Sequence, residues 1–183
     1  MPFTFDGNTP EAISYYGNNV KTLICNGDVV WQEPEQTATL YSTSSRWAES
    51  GNEWHNNETE IWLRAAGGYG RLTFDGHSKL RNFTKATFHF YITANPSTVH
   101  CYARSGATND PDKYNTGLED VYHIYQYFSS KGWHKFDLTE QLQALLANSP
   151  NLPTLGIKLL FKSGNNVRIS THTGAYPPYI VLE

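Results

Sequence analysis

The chain alternates apolar and polar residues with a period of two in several of its segments. Between residues 86 and 92, Ala86, Phe88, Phe90 and Ile92 occupy every second position, which places them on one face of a strand. Other strand-like segments rich in β-branched and aromatic residues lie at 37–41, 60–65, 71–74, 98–103, 121–128, 133–138, 155–161, 166–171 and 179–182. Many short strands at regular spacing predict an all-β fold, an antiparallel β-sandwich of the jelly-roll type.

A helical period occurs around residues 139–147. Leu138, Leu142, Leu145 and Leu146 recur at helical spacing and would form one apolar stripe. Asp137 is a candidate N-cap, with Glu140 three residues later as in a capping box. The sequence therefore predicts one short helix between strands.

Residues 1–33 differ in pattern from the rest of the chain. Two apolar runs, at 20–25 and 29–31, flank Asn26-Gly27, the dipeptide most typical of a short β-hairpin. A strand at 13–15 precedes them, so we predict a small N-terminal β-meander that serves as an attachment module. Residues 32–36 lack apolar side chains and include Pro34, which predicts a linker before a jelly-roll domain at 37–183.

Composition excludes several partners. The 183 residues include 14 Lys+Arg and 17 Asp+Glu, for a formal net charge of −3. Without a basic cluster, binding to nucleic acid is not expected. No apolar run approaches the ~20 residues of a membrane helix, and the N-terminus lacks the features of a secretory signal. We expect a protein made in a cytoplasm, with no membrane partner.

Motifs of common catalytic sites are missing from the sequence. It contains no nucleophile elbow, zinc-protease motif, P-loop or dinucleotide-binding glycine motif. Seven histidines occur without His-x-His spacing, so ordinary strand and loop histidines are favoured over a metal centre. Cys25 and Cys101 are interpreted as two reduced, buried thiols rather than a disulfide. We predict no catalytic residue and no metal ligand.

A polar loop carries the chain's densest group of carboxylates. Asn109, Asp110 and Asp112 lie there, and Glu119 and Asp120 follow. Their oxygens are suited to Ca²⁺, and paired carboxylates are also what glycoside hydrolysis requires. Turn chemistry explains the same residues without an ion. We expect no cofactor, leave Ca²⁺ as the open alternative, and keep Asn109, Asp110 and Asp112 as candidate ligand contacts.

Two tryptophans stand in a long polar segment. Trp47 and Trp54 have polar or turn residues beside them, and a flat aromatic face can stack on the apolar face of a pyranose. Both are candidate ligand-binding residues, although for each of them the alternative of filling the end of the core is favoured. Trp62 and Trp133 alternate with strand residues and are predicted to lie in the core.

The segment from about 37 to 183 resembles DNRLRE-type modules, the disaggregatase-related jelly rolls of bacterial surface and secreted proteins. The similarity lies in "GRLTFD" at 70–75, "ATFHFY" at 86–91, "GWHKFDLT" at 132–139 and "PPYIV" at 177–181, in the family's order. The resemblance implies a jelly-roll fold.

The N-terminal segment is similar to a small module of tail and baseplate proteins from bacteriophages of Gram-positive hosts. The similarity covers residues 13–31 and lies in the spacing of Ile13, Tyr15, Val20, Leu23, Asn26-Gly27 and Val30-Trp31. This resemblance implies a structural protein of a phage or prophage particle.

Together these features predict a non-catalytic virion protein of tail, fibre or decoration type. Its partners would be other virion proteins or copies of itself, as a homo-oligomer, and its jelly roll would bind a host-surface carbohydrate. Repeated copies would raise avidity, and the low charge favours a neutral glycan. Two alternatives stay open: a carbohydrate-binding module of a bacterial surface or secreted protein, and a glycan-cleaving enzyme, which the missing motifs disfavour.

Overall fold

The protein divides into two compact units, Met1–Gln36 and Thr37–Glu183. The structure, a computed structural model, describes residues 13–15, 18–20, 22–25, 28–32, 37–48, 54–56, 58–64, 69–75, 80, 83–105, 123–148, 154–161 and 166–183. The two units are described separately below.

The first unit contains two antiparallel strand pairs. Strand β1 (Ile13–Tyr15) pairs with β2 (Asn18–Val20), and β3 (Thr22–Cys25) pairs with β4 (Asp28–Gln32). The second pair flanks residues 26–27, which confirms the hairpin predicted there. The apolar run at 20–25 is divided between β2 and β3, so this part of the chain forms two hairpins where the sequence predicted one three-stranded meander.

The second unit consists of eleven strands and one helix in its described part. The strands are β5 (Ala38–Ala48), β6 (Trp54–Asn56), β7 (Glu60–Leu63), β8 (Tyr69–Phe74), β9 (Ala86–Ala94), β10 (Thr98–Ser105), β11 (His123–Tyr127), β12 (Gly132–Asp137), β13 (Leu155–Leu160), β14 (Val167–Ser170) and β15 (Tyr179–Leu182). Helix α1 (Thr139–Asn148) lies between β12 and β13 in sequence.

Strand β5 connects two antiparallel sheets. Its first part pairs with β15, and its second part pairs with β8 after a register shift between Ser42 and Ser44. The first sheet continues from β15 to β9, which is flanked by β12 and by β14, and β14 pairs with β7. The second sheet runs β11, β10, β13, β8, β5 and β6. Chain connections from β7 to β10 and from β12 to β14 alternate between the sheets, as in a jelly roll, so the predicted all-β sandwich is confirmed.

The core lies between the inner faces of the two sheets. The predicted face of β9, including Phe88 and Phe90, is fully buried. The rings of Phe88 and Phe90 stack at 5.4 Å between centroids, and Phe136 of β12 stacks on Phe90 at the same distance. Burial of each large apolar side chain stabilises the fold by about 1.5–3 kcal/mol.

Buried Cys101 lies among these residues as a free thiol, whose pKa is raised by burial. The side chain of Cys25 lies outside the described part of the structure.

Helix α1 begins where the sequence predicts it and ends one residue later. The Asp137 carboxylate accepts hydrogen bonds from the backbone N–H of Thr139 at 3.0 Å and from its hydroxyl at 2.6 Å, which is the action of an N-cap. Leu142 and Leu145 are buried.

Among the described residues, no helix has the length and apolarity needed to cross a membrane.

Candidate functional site

The outer face of the first sheet gathers aromatic side chains by register. Because side chains alternate across β9, His89 and Tyr91 point outward while Phe88 and Phe90 point into the core. Trp133 of β12 pairs with Tyr91, and Tyr179 of β15 pairs with His89. On its other side Tyr179 pairs with Tyr41 of β5. Residues far apart in sequence therefore meet on one surface.

Six rings form a continuous surface, which we call the aromatic strip. Its members are Tyr41, His89, Tyr91, Trp133, Tyr176 and Tyr179. Ring centroids are 5.8 Å apart for Tyr41 and Tyr179, and 4.6 Å apart for Tyr179 and His89. At the other end, Tyr91 and Tyr176 stack at 3.8 Å. Tyr41 is 61% exposed and Tyr176 is 41% exposed, so the strip presents much of its aromatic surface to solvent.

Trp133 lies between the two ends of the strip. Its ring stands at 87° to Tyr91 and at 84° to Tyr176, with centroids 5.6 Å and 6.2 Å away. Tyr179 contacts it from the other end at 5.5 Å and 61°. Such edge contacts contribute about 0.5–1.5 kcal/mol each beyond area burial. They fix the orientation of a ring that is still 46% exposed.

A cavity of about 360 Å³ adjoins Trp133, and we call it the groove. This volume falls within the range of about 300–1,000 Å³ that is common for ligand sites. The groove combines aromatic and polar side chains from β9, β11, β12 and the segment between the last two. Its lining residues are His89, Gln126, Phe128, Trp133, His134 and Lys135.

The hydrogen-bonding groups of the groove are partly fixed. His134 donates from Nε2 to the carbonyl oxygen of Ser130 at 2.8 Å, which sets its tautomer when the ring is neutral. Burial, and to a smaller extent the charge of Lys135, lower the pKa of His89. His89 is therefore held towards the neutral form, and Lys135 supplies the positive charge of the groove.

The sequence-predicted ligand residue Trp47 is buried. It is 4% exposed, and its ring stacks on His55 with centroids 3.9 Å apart and planes 7° apart. Its indole Nε1 donates to Glu58 Oε2 at 3.0 Å, and Trp62 stacks at 5.8 Å. Trp47 therefore belongs to the core, which is the alternative given for it above. Its ring is not exposed for stacking on a sugar.

The other predicted ligand residues have no described side-chain environment. Trp54 lies in β6, but its side chain is outside the described part of the structure. Asn109, Asp110 and Asp112 fall between the described ranges 83–105 and 123–148. Their assignment as ligand contacts stays a prediction.

The sequence predicts that Trp133 lies in the core, and this prediction is wrong. On β12 the inward positions are His134 and buried Phe136, whereas Trp133 shares the outer face with Lys135. The signal was present in the sequence, because a lysine two residues from a strand tryptophan marks that face as solvent-facing. Trp62 is also predicted to lie in the core. In the structure it is half-buried and packs against the core residues.

A second ring cluster lies on the outer face of the second sheet. The register of β10 with β11 brings His100 and His123 together, with Nδ1 of the first 2.9 Å from Nε2 of the second. Tyr102 and Tyr125 stack on these imidazoles. His100 is only 7% exposed, so this cluster offers less open surface than the strip. No group of three His, Cys, Asp or Glu side chains placed to hold a metal occurs among the described residues.

Comparison with known proteins assigns no family. No family model matches the chain, and no curated protein matches its sequence. One similar solved structure is TmCBM61, solved in complex with β-1,4-galactotriose. It has a TM-score of 0.26 and 5% sequence identity, and the match covers 81% of this chain and 85% of that one. At these values the likeness assigns neither a family nor a ligand.

Proposed function

We propose that the unit Thr37–Glu183 binds carbohydrate, without catalysis, through the aromatic strip and the groove. The observation that carries the proposal is Trp133, which is 46% exposed yet held by perpendicular ring contacts beside a polar groove. An ordered, exposed aromatic surface of this kind is typical of interaction sites.

Carbohydrate matches the chemistry of this surface. The C–H face of a pyranose is apolar and stacks on an indole or phenol ring, while its hydroxyls need hydrogen-bond partners. Trp133 offers the ring, and Gln126, His134 and Lys135 line the adjoining groove. A series of rings along the sheet would accept consecutive sugar units of a chain.

The lining of the groove favours binding over hydrolysis. Glycoside hydrolysis ordinarily requires two carboxylates about 5–10 Å apart around the scissile bond. The residues described as lining the groove include no Asp or Glu. This composition supports a binding role for the groove.

A second proposal concerns the assembly to which the carbohydrate-binding unit belongs. We propose that the protein is a structural component of a phage or prophage particle, joined to it by the N-terminal unit Met1–Gln36. The support is the spacing of apolar, Asn and Gly residues over positions 13–31 described above. Many copies on one particle would give weak single sites a high avidity for a host-surface glycan.

The site is tested by replacing Trp133 and a matched exposed aromatic residue elsewhere. Tyr127 is 67% exposed on β11 and outside both the strip and the groove lining, so Tyr127→Ala is the control. On a glycan array followed by calorimetry, we expect Trp133→Ala to weaken binding roughly tenfold or more. Tyr127→Ala should bind like the wild type. Unchanged binding in Trp133→Ala, or the absence of any bound glycan, would contradict the proposal.

Light scattering on the whole chain tests the particle context and a competing occupant. A stable closed oligomer is expected for a virion component, whereas a monomer at all concentrations counts against it. If Trp133→Ala dissociates that oligomer, the strip is an interface between copies rather than a glycan site.

A further inference from the structure

We propose that the groove selects a sugar unit bearing one negative charge, a uronic acid or similarly carboxylated pyranose, through Lys135. This inference rests on the proposed function and specifies the ligand class of the same site. The net charge of the chain is −3, but the groove itself carries the positive charge of Lys135.

Lys135 is the cation of the groove. It lies on the outer face of β12, opposite His89 of β9, and both side chains line the cavity. Lys135 forms no ion pair or hydrogen bond with another residue in the described part of the chain. Its ammonium is therefore available to an incoming anion.

The carboxylate nearest along this strand face is already engaged. Asp137 follows Lys135 by two residues on β12, and its oxygen accepts both the N–H and the hydroxyl of Thr139 at the start of helix α1. The other polar residues of the groove, Gln126 and His134, carry no negative charge. An anionic group entering beside Lys135 would meet no carboxylate of the groove lining.

Trp133 and Lys135 have the spacing needed to bind one sugar together. They are two residues apart on the same face of a strand, which separates their Cα atoms by about 7 Å. A pyranose stacked on the indole can direct the carboxylate at its C5 towards the ammonium. Hydrogen bonds to charged groups are stronger than neutral ones, so this contact would select the acidic sugar over its neutral form.

Matched pairs of ligands isolate the charge. The probes are oligosaccharides of several uronic acids, with trigalacturonic acid as the first, each compared with its methyl ester, which keeps the backbone and removes the charge. The proteins are the wild type, Lys135→Gln, Trp133→Ala and, as a control, Lys131→Gln, since Lys131 is exposed and does not line the groove.

We expect the wild type and Lys131→Gln to bind at least one acid form roughly tenfold more tightly than its ester at low salt. Lys135→Gln should bind both forms with the affinity that the wild type has for the ester. The preference should shrink at 1 M salt, where screening is strong. Trp133→Ala should lose both forms.

The outcomes separate the two proposals. Equal wild-type affinity for acids and esters, or an acid preference that survives in Lys135→Gln, overturns the charge selection and leaves carbohydrate binding intact. Acid and ester binding that persists in Trp133→Ala overturns the proposed site itself. Failure of the wild type to bind either form of every pair overturns the charge selection, and binding to neutral glycans on the array then decides the wider proposal.

Discussion

At the scale of single residues, Trp133 is exposed where the sequence predicts a core position, and Trp47 takes the core position of its two predicted alternatives. Trp47 faces Gly70 across the β5–β8 pairing, and the space beside Gly70 is filled by the side chain of Ile61. The space is narrow, because a Cβ at Gly70 would clash with Ile61 Cγ2. Gly70 lies within β8, just before the strand segment that the sequence predicts at 71–74.

The hydrogen bond that Trp47 donates to Glu58 gives a stability prediction. Trp47→Phe keeps an aromatic ring but removes the N–H that donates to Glu58 and leaves a small void. We expect it to lower the free energy of unfolding by about 1–3 kcal/mol, measured by urea denaturation.

Trp133→Phe is the matched control for this change. Trp133 is exposed, so its replacement should lower the free energy of unfolding by less than Trp47→Phe does. If folded Trp47→Phe loses glycan binding while Trp133→Phe keeps it, the ligand role first predicted for Trp47 would be the correct one.

At the scale of elements, the sequence was most informative where one side of a strand or helix is buried. The alternation of β9 identified its core face because water is excluded from that face alone. Leu138, Leu142 and Leu145 located the helix for the same reason. The outer faces could not be assigned in this way, because contacts such as Tyr179 with His89 arise from pairings between distant strands.

The start of helix α1 depends on Asp137. Asp137→Ala removes the acceptor for the N–H and hydroxyl of Thr139 and should lower the free energy of unfolding by about 1 kcal/mol. Thermal and urea unfolding at pH 7 measure the effect.

Acid titration of the same variant provides a second check. The hydrogen bonds from Thr139 lower the pKa of Asp137 below its ordinary value of 3.8. The stabilisation is therefore complete above that value and is lost as the pH falls through the lower pKa of the folded state. The difference between Asp137→Ala and the wild type should shrink towards pH 2; a constant difference would count against the cap.

At the scale of the whole molecule, the sequence predicted the sandwich and the N-terminal hairpin around Asn26-Gly27 better than the site. A two-residue period needs only local information, whereas the aromatic strip requires β5, β9, β12 and β15 to be placed side by side. The groove also needs Gln126 of β11, a strand of the second sheet, to lie near β12 of the first sheet, and the sequence shows neither arrangement.

The stability of the whole molecule should depend on pH near neutrality. Burial lowers the pKa values of His89 and His172 below 6.5, with Lys135 adding to the shift at His89. The folded protein then binds fewer protons than the unfolded chain just below pH 6.5, so stability is complete above that value and is lost as the pH falls. We expect the urea midpoint to be lower at pH 5.5 than at pH 7.5.

The double variant His89→Gln, His172→Gln is the comparison for that measurement. Without these two imidazoles the difference between pH 5.5 and pH 7.5 should become smaller. A midpoint that is higher at pH 5.5 in the wild type would contradict the sign of the effect.

The central claim is that the outer face of the first sheet is the carbohydrate-binding surface. An amide chemical-shift titration of the folded protein, with the best oligosaccharide from the array, reports directly which face the ligand contacts. We predict that the shifts concentrate on β9, β12 and β15, around Tyr91, Trp133 and Tyr179. Shifts confined to the second ring cluster, around His100, Tyr102 and His123 on the opposite face, would contradict the account.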